Sequence, residues 1–89
     1  MKEPAASMSP IIFPQYRRYK NGRSYFMISD TESFEEVRSF GDRWLIAQHR
    51  ARILPDRNFI YDLLHDFHTF AEAITMEQYL GIREMAVHE

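Results

Sequence analysis

The sequence contains no cysteine, three glycines, four prolines and no apolar run that approaches the length of a membrane span. Without cysteine, disulfides, thiolate catalysis and cysteine-based zinc sites are excluded. Because small secreted domains usually depend on disulfides, this absence also favours a reducing compartment. The first ten residues, MKEPAASMSP, lack the apolar centre of a signal peptide. We therefore expect a cytoplasmic protein with no membrane association.

Catalytic and cofactor-binding motifs are missing as well. The glycines at 22, 41 and 81 are isolated, so no glycine-rich phosphate loop is present. The serines have no identifiable base beside them, and nucleophilic catalysis has no support. We expect a protein that is not an enzyme and that carries no cofactor.

The composition is that of a folded domain, with 45% hydrophobic and 15% aromatic residues in a chain of 89. This length predicts a single domain. Residues 1–10 are small and polar, which is typical of a flexible leader. We assign residues 11–89 to one α+β domain.

A β-hairpin is the clearest local signal. Tyr16–Tyr19 and Ser24–Ile28 flank Lys20–Arg23, whose central Asn-Gly pair readily takes the positive φ angles of a type I′ turn. The Ser29–Ser33 segment then predicts a turn or a single helical turn, because Ser29 and Glu32 have the spacing of a capping box.

Residues 34–40 and 43–53 fit either a helix or a strand. Phe34, Val37 and Phe40 have helical spacing, whereas the following Gly-Asp pair suits a hairpin turn. We interpret both segments as strands, since a core of this size needs a sheet wider than two strands. In the second strand, a small and largely apolar face would then lie under a helix. The other face, with Trp44 and Ile46, would be partly exposed.

Two helices are predicted in the last third. The first opens at Leu54-Pro55 and carries one apolar stripe: Phe59, Ile60, Leu63, Leu64, Phe67, Phe70, Ala71 and Ile74. Thr75 and Gln78 form a capping box that begins the second. The predicted fold is an antiparallel sheet of three or four strands, followed by two C-terminal helices packed on one face.

Two segments carry a resemblance to a known family. FPQYRRYKNG at 13–22 and ILPDRNFI at 53–60 resemble a small family of uncharacterised bacterial proteins with a strand-rich first half and a helical end. The resemblance covers roughly residues 13–85 and supports the strand interpretation of 43–53. It implies no activity, substrate or site residue.

Charge is distributed unevenly along the chain. Residues 15–54 contain eight basic and five acidic side chains, whereas residues 55–89 contain two basic and seven acidic ones. Halves of opposite sign indicate a partner that binds in a defined orientation.

The hairpin holds the densest basic and aromatic cluster. Arginines and lysines that neutralise phosphates, interleaved with rings that stack on bases, are typical of single-strand nucleic-acid binding. The same residues also fit the protection of an edge strand with tyrosines over the core. The candidate nucleic-acid or partner-binding residues are Tyr16, Arg17, Arg18, Tyr19, Lys20, Arg23 and Trp44.

The first helix also carries weak candidates for metal ligands. Asp62, His65 and Asp66 have i, i+3 and i+4 spacing, and His68 lies one turn beyond His65. A solvated polar stripe explains the same pattern, so we assign no metal site. His49 is the best single candidate for a general base, although its place on the small-residue strand face favours a buried, hydrogen-bonded histidine.

These observations favour a small non-enzymatic binding or assembly domain that self-associates, as a homodimer for example, or binds a protein partner. The alternative is a nucleic-acid-binding accessory protein that uses the hairpin at 15–25.

Overall fold

A computed structural model describes residues 11–88 of the chain; the predicted leader at 1–10 and Glu89 lie outside the described residues. The described part contains six strands and two helices. In chain order these are β1 (Gln15–Tyr19), β2 (Ser24–Asp30), β3 (Ser33–Phe40), β4 (Arg43–Arg50), α1 (Leu54–His65), β5 (Ala71–Ala73), α2 (Met76–Arg83) and β6 (Val87–His88).

The strands form one mixed sheet in the order β5-β1-β2-β3-β4-β6. All neighbours are antiparallel except β4 and β6, which are parallel. The predicted α+β class is confirmed, but the antiparallel sheet of three or four strands is wrong in strand number and in its last pairing. β5 has three residues and β6 has two, so neither is long enough to show the alternating pattern that predicts a strand. β5 also lies between the two helices in the sequence.

The hairpins form where the turn residues predict them. Gly22 and Gly41 have φ angles of 74° and 63°, which glycine adopts without strain, and they close the β1–β2 and β3–β4 turns. Residues 34–40 and 43–50 are strands, as interpreted from the sequence. The Ser29–Ser33 segment contains the predicted turn in its non-helical form, at Thr31 and Glu32 between β2 and β3. β2 extends to Asp30, whose Oδ1 accepts a hydrogen bond from the Glu32 amide at 2.7 Å.

The two helices pack on opposite faces of the sheet, which corrects the prediction that both cover one face. Side chains alternate between faces along a strand, and β2 illustrates the division. Phe26 and Ile28 pack with Ile60 and Leu63 of α1 on what we call the α1 face. On the opposite α2 face, a second buried cluster consists of Val37, Ile46 and Tyr79, with Met27 packed against it.

Helix α1 ends at His65, well before the end of the predicted apolar stripe. Buried Arg17 of β1 accounts for this end. Its Nε donates to the Leu63 carbonyl at 2.8 Å and its Nη2 approaches the Leu64 carbonyl at 3.5 Å. A longer helix would use these carbonyls as acceptors for the next amides. The chain turns instead, and Phe67 stacks on the guanidinium at 4.1 Å.

Helix α2 begins with the predicted capping box. The Gln78 amide donates to Thr75 Oγ1 at 3.1 Å, and the Thr75 amide donates to Gln78 Oε1 at 2.9 Å. Glu35 of β3, which is only 2% exposed, then holds the helix against the sheet through hydrogen bonds.

Three side chains donate hydrogen bonds to the Glu35 carboxylate. They are the Tyr79 hydroxyl at 2.6 Å, Arg83 Nε at 2.7 Å and Gln48 Nε2 at 2.5 Å. Burial by itself raises the pKa of Glu35, but the hydrogen bonds from Arg83, Tyr79 and Gln48 outweigh it and lower the pKa to about 2. Burial, together with the bond to Glu35, raises the pKa of Tyr79.

We predict that Glu35→Gln destabilises the domain by about 1–3 kcal/mol at neutral pH, because an amide NH2 replaces one of the two oxygens that accept from buried Tyr79 and partly exposed Arg83. The folded-state pKa lies below the ordinary value of 4.5, so the carboxylate stabilises the fold above about pH 5 and loses this effect as the pH falls toward 2. The difference between the two proteins should therefore shrink in acid. Urea denaturation at several pH values measures it, with Glu84→Gln as the exposed control. An equal difference at pH 7 and pH 3 would contradict the assignment.

We predict that Arg17→Met destabilises the domain by about 1–3 kcal/mol, because the terminal carbonyls of α1 lose a buried donor. The methionine preserves an apolar stem over Phe67. Arg23→Met, at an exposed position of the hairpin turn, is the matched control and should change stability by less than about 0.5 kcal/mol. Equal thermal stability of the two variants would show that Arg17 does not hold the end of α1.

Candidate functional site

Half of the α1 face carries apolar side chains outside both buried clusters. Phe34 packs against α1, so Phe40, six residues further along β3, points to the same face. Arg38 of β3 lies opposite Leu45 of β4, and Leu45 lies opposite Val87 of β6. None of Phe40, Leu45 and Val87 belongs to either cluster of the described residues. We call this surface, formed by Phe40, Leu45, Ala47 and Val87, the uncovered patch.

The uncovered patch is apolar and bordered by positive charge. Phe40 is 59% exposed and Val87 is 52% exposed. The Arg38 guanidinium lies 5.7 Å from the centre of the Phe40 ring, and Arg43 is paired with Phe40 across the strands. Within residues 11–88, Arg43 takes part in no ion pair.

The prediction that the Trp44 and Ile46 side of β4 is the exposed one is wrong. Ile46 is buried beneath α2, and half-buried Trp44 lies with its ring centre 5.7 Å from that of Tyr25. The small-residue side of β4, predicted to lie under a helix, is the uncovered one. The sequence carried no signal for this assignment, because its apolar stripe predicted a first helix that continues to Ile74, whereas α1 has 12 residues and ends at His65.

The outer side of α2 is the second exposed apolar surface. Tyr79 and Arg83 point inward, so Glu77, Leu80 and Glu84 lie on the outer side of the helix, and Met76 is exposed at its first turn. We call these four residues the α2 ridge. Leu80 is 42% exposed. No ion pair within the described part of the chain involves Glu77 or Glu84. The α2 ridge is therefore apolar and acidic.

A groove of about 310 Å³ separates α2 from the sheet. Its walls include Arg18, Tyr25, Ile82 and Met85. Gly81 also borders the groove, and a Cβ atom there would meet nothing within 4 Å. Arg18 forms an ion pair with Glu72, so its charge is already compensated.

The structure divides the candidate hairpin residues between the two faces. Tyr16, Arg18 and Trp44 lie on the α2 face, where the ring centre of Tyr16 is 5.4 Å from that of Tyr79. Tyr19 packs against Phe26 on the α1 face, where Arg17 is buried. Lys20 and Arg23 are exposed at the turn. The hairpin therefore does not present one continuous basic and aromatic surface.

The candidate metal ligands do not converge. His65 is packed beside the Tyr61 ring at a centroid distance of 4.6 Å, and His68 stacks on Phe67 at 4.1 Å. Among residues 11–88, no group of three histidine, aspartate or glutamate side chains is placed to hold a metal ion, so Asp62 and Asp66 gain no further ligand.

His49 is exposed, which corrects the expectation that it is buried. Its ring stacks on Phe34 at 4.7 Å, and its Nε2 lies 3.0 Å from Glu36 Oε1. It borders a cleft of about 250 Å³ with Arg50 and Asp56.

In the part of the chain that the structure describes, no helix has the length and apolarity needed to cross a membrane. Comparison with known proteins gives no match to a family model, to a curated protein or to a solved structure. The resemblance carried by residues 13–22 and 53–60 stays a prediction.

Proposed function

We propose that this chain is a non-enzymatic assembly domain of the cytoplasm that associates with further copies of itself through the uncovered patch. The observation that carries the proposal is the half-covered α1 face. Phe26, Ile28 and Phe34 lie under α1, whereas Phe40 and Val87 on the same face are more than half exposed. An apolar sheet surface of this kind marks an interaction site.

The size of the patch suits a protein partner. It extends over β3, β4 and β6, and strands about 4.8 Å apart give it a width of roughly 10 Å, the diameter of one helix. The surface has rows of side chains and no deep cavity, so a small molecule would be poorly enclosed. A packed secondary-structure element would cover it in the way that α1 covers the neighbouring half.

A nucleic acid is the alternative partner, through Lys20 and Arg23 at the hairpin turn. It has less support because Arg17 is buried, Arg18 is paired with Glu72, and the tyrosines are divided between two faces. Without clustered rings and free arginines, such a surface lacks the stacking that strengthens single-strand binding.

Sedimentation velocity over a wide concentration range tests self-association. We expect the average mass of the wild-type protein to rise with concentration, and Phe40→Asp to remain a monomer because a charge replaces the apolar centre of the patch. Tyr61→Asp, at a residue 60% exposed on α1, should behave like the wild type. Circular dichroism establishes that each variant is folded.

A wild-type protein that stays monomeric up to millimolar concentration would overturn the proposal. Salt-sensitive binding of a single-stranded oligonucleotide by that monomer, lost on substitution of Lys20 and Arg23, would favour the alternative.

A further inference from the structure

We infer that the uncovered patch of one copy receives the α2 ridge of the next, so that copies associate head to tail. This inference rests on the proposed function and specifies its geometry. The first argument is charge. Arg43 borders the patch and takes part in no ion pair among residues 11–88, whereas Glu77 and Glu84 belong to the ridge. Joining the two surfaces brings opposite charges together over apolar centres.

Symmetric contacts are disfavoured by the same charges. When two patches face each other, Arg43 of one copy approaches Arg43 of the other. When two ridges face each other, Glu77 and Glu84 of one copy approach the same residues of the other. Like charges facing each other across an interface cost free energy and suppress that pairing. Only the patch-to-ridge contact avoids this repulsion on both sides.

Shape supports the same pairing. Helix α2 has eight residues and is about 12 Å long, so Met76 and Leu80 lie one turn apart as its exposed apolar side chains. The uncovered patch is the vacant half of a sheet face whose other half already holds α1. A docked α2 from a second copy would lie on Phe40 and Leu45 as α1 lies on Phe26 and Phe34, and would complete the layer of helices.

The two surfaces lie on opposite sides of the molecule, since α2 and the patch are on opposite sheet faces. A contact between different surfaces is heterologous, so each added copy leaves one patch and one ridge free. Growth then continues until a ring closes or the chain of copies ends. A two-fold dimer would instead stop at two copies.

Mixing two variants tests this directly. Leu80→Asp disables the ridge and keeps the patch, whereas Phe40→Asp disables the patch and keeps the ridge. We expect each variant alone to associate at least about tenfold more weakly than the wild type, as the loss of a central apolar contact implies. An equimolar mixture should form a 1:1 heterodimer that grows no further. The control is Tyr61→Asp, which alters neither the patch nor the ridge, mixed with either variant.

Three results would overturn the inference while leaving self-association intact. They are a wild-type protein that stops at a dimer, Leu80→Asp that oligomerises like the wild type, and a mixture that forms no heterodimer. A monomeric wild type would instead refute the proposed function, so the two failures are distinguishable in the same sedimentation series.

Salt provides an independent measurement. Because opposite charges meet in the patch-to-ridge contact, association should weaken several-fold as ionic strength rises from low to molar values. Replacing both Glu77 and Glu84 with glutamine should remove most of this dependence. Association that strengthens with salt would indicate a contact between like-charged surfaces and would contradict the inference.

Discussion

The buried carboxylate of Glu35 determines how the second half of the chain sits on the first. Helix α2 has few buried side chains of its own, and Tyr79 is the one that is fully enclosed. The bonds from Tyr79 and Arg83 to a single carboxylate fix both the position and the rotation of α2. Because Glu35 is buried and Arg83 is only partly so, desolvation of the carboxylate offsets much of the attraction, but every arrangement that leaves this carboxylate unpaired is penalised. That rotation in turn places Leu80 outward in the α2 ridge.

Arg17 has the corresponding role on the opposite face. By donating to the last carbonyls of α1, it holds the end of the helix beside β1. Burial lowers the pKa of Arg17, and stacking on Phe67 partly replaces the water that it has lost. The residues after His65 are then free to form β5 at the sheet edge. The start of α1 lies near the end of β4, where Ala51, Asp56 and Phe59 border one cleft, and its end lies on β1. The helix therefore crosses the sheet at one end of the strands, and the uncovered patch lies at the opposite end of β3 and β4, beside the turn between Phe40 and Arg43.

The sequence predicted the structures that neighbouring residues form, but it did not predict the contacts between residues far apart in the chain. The hairpin marked by Asn21-Gly22 and the Thr75–Gln78 capping box act within four residues, and both are confirmed. The predicted type I′ turn is not, because the Gly22 amide donates to the Tyr19 carbonyl and places Lys20 and Asn21 at the centre of the turn. Glu35 and Arg83 are 48 residues apart, and nothing in the sequence singled out either as the partner of the other. The choice of sheet face for each helix depends on that pairing. Without it, the alternation along β4 predicted two faces but not which of them α2 would cover, and the patch was assigned to the side of Ile46.

A monomer with these two surfaces carries apolar area that water solvates poorly. Burying side chains such as Phe40, Val87 and Leu80 contributes roughly 1.5–3 kcal/mol each at most, while association itself costs at least about 4 kcal/mol in lost freedom of motion. The margin is narrow for contacts made by an eight-residue helix, so charge would decide between the possible orientations of the proposed assembly. In the proposed patch-to-ridge contact Arg43 and Glu84 would attract each other, whereas in a symmetric contact like charges would repel. A contact this weak would form only at high protein concentration.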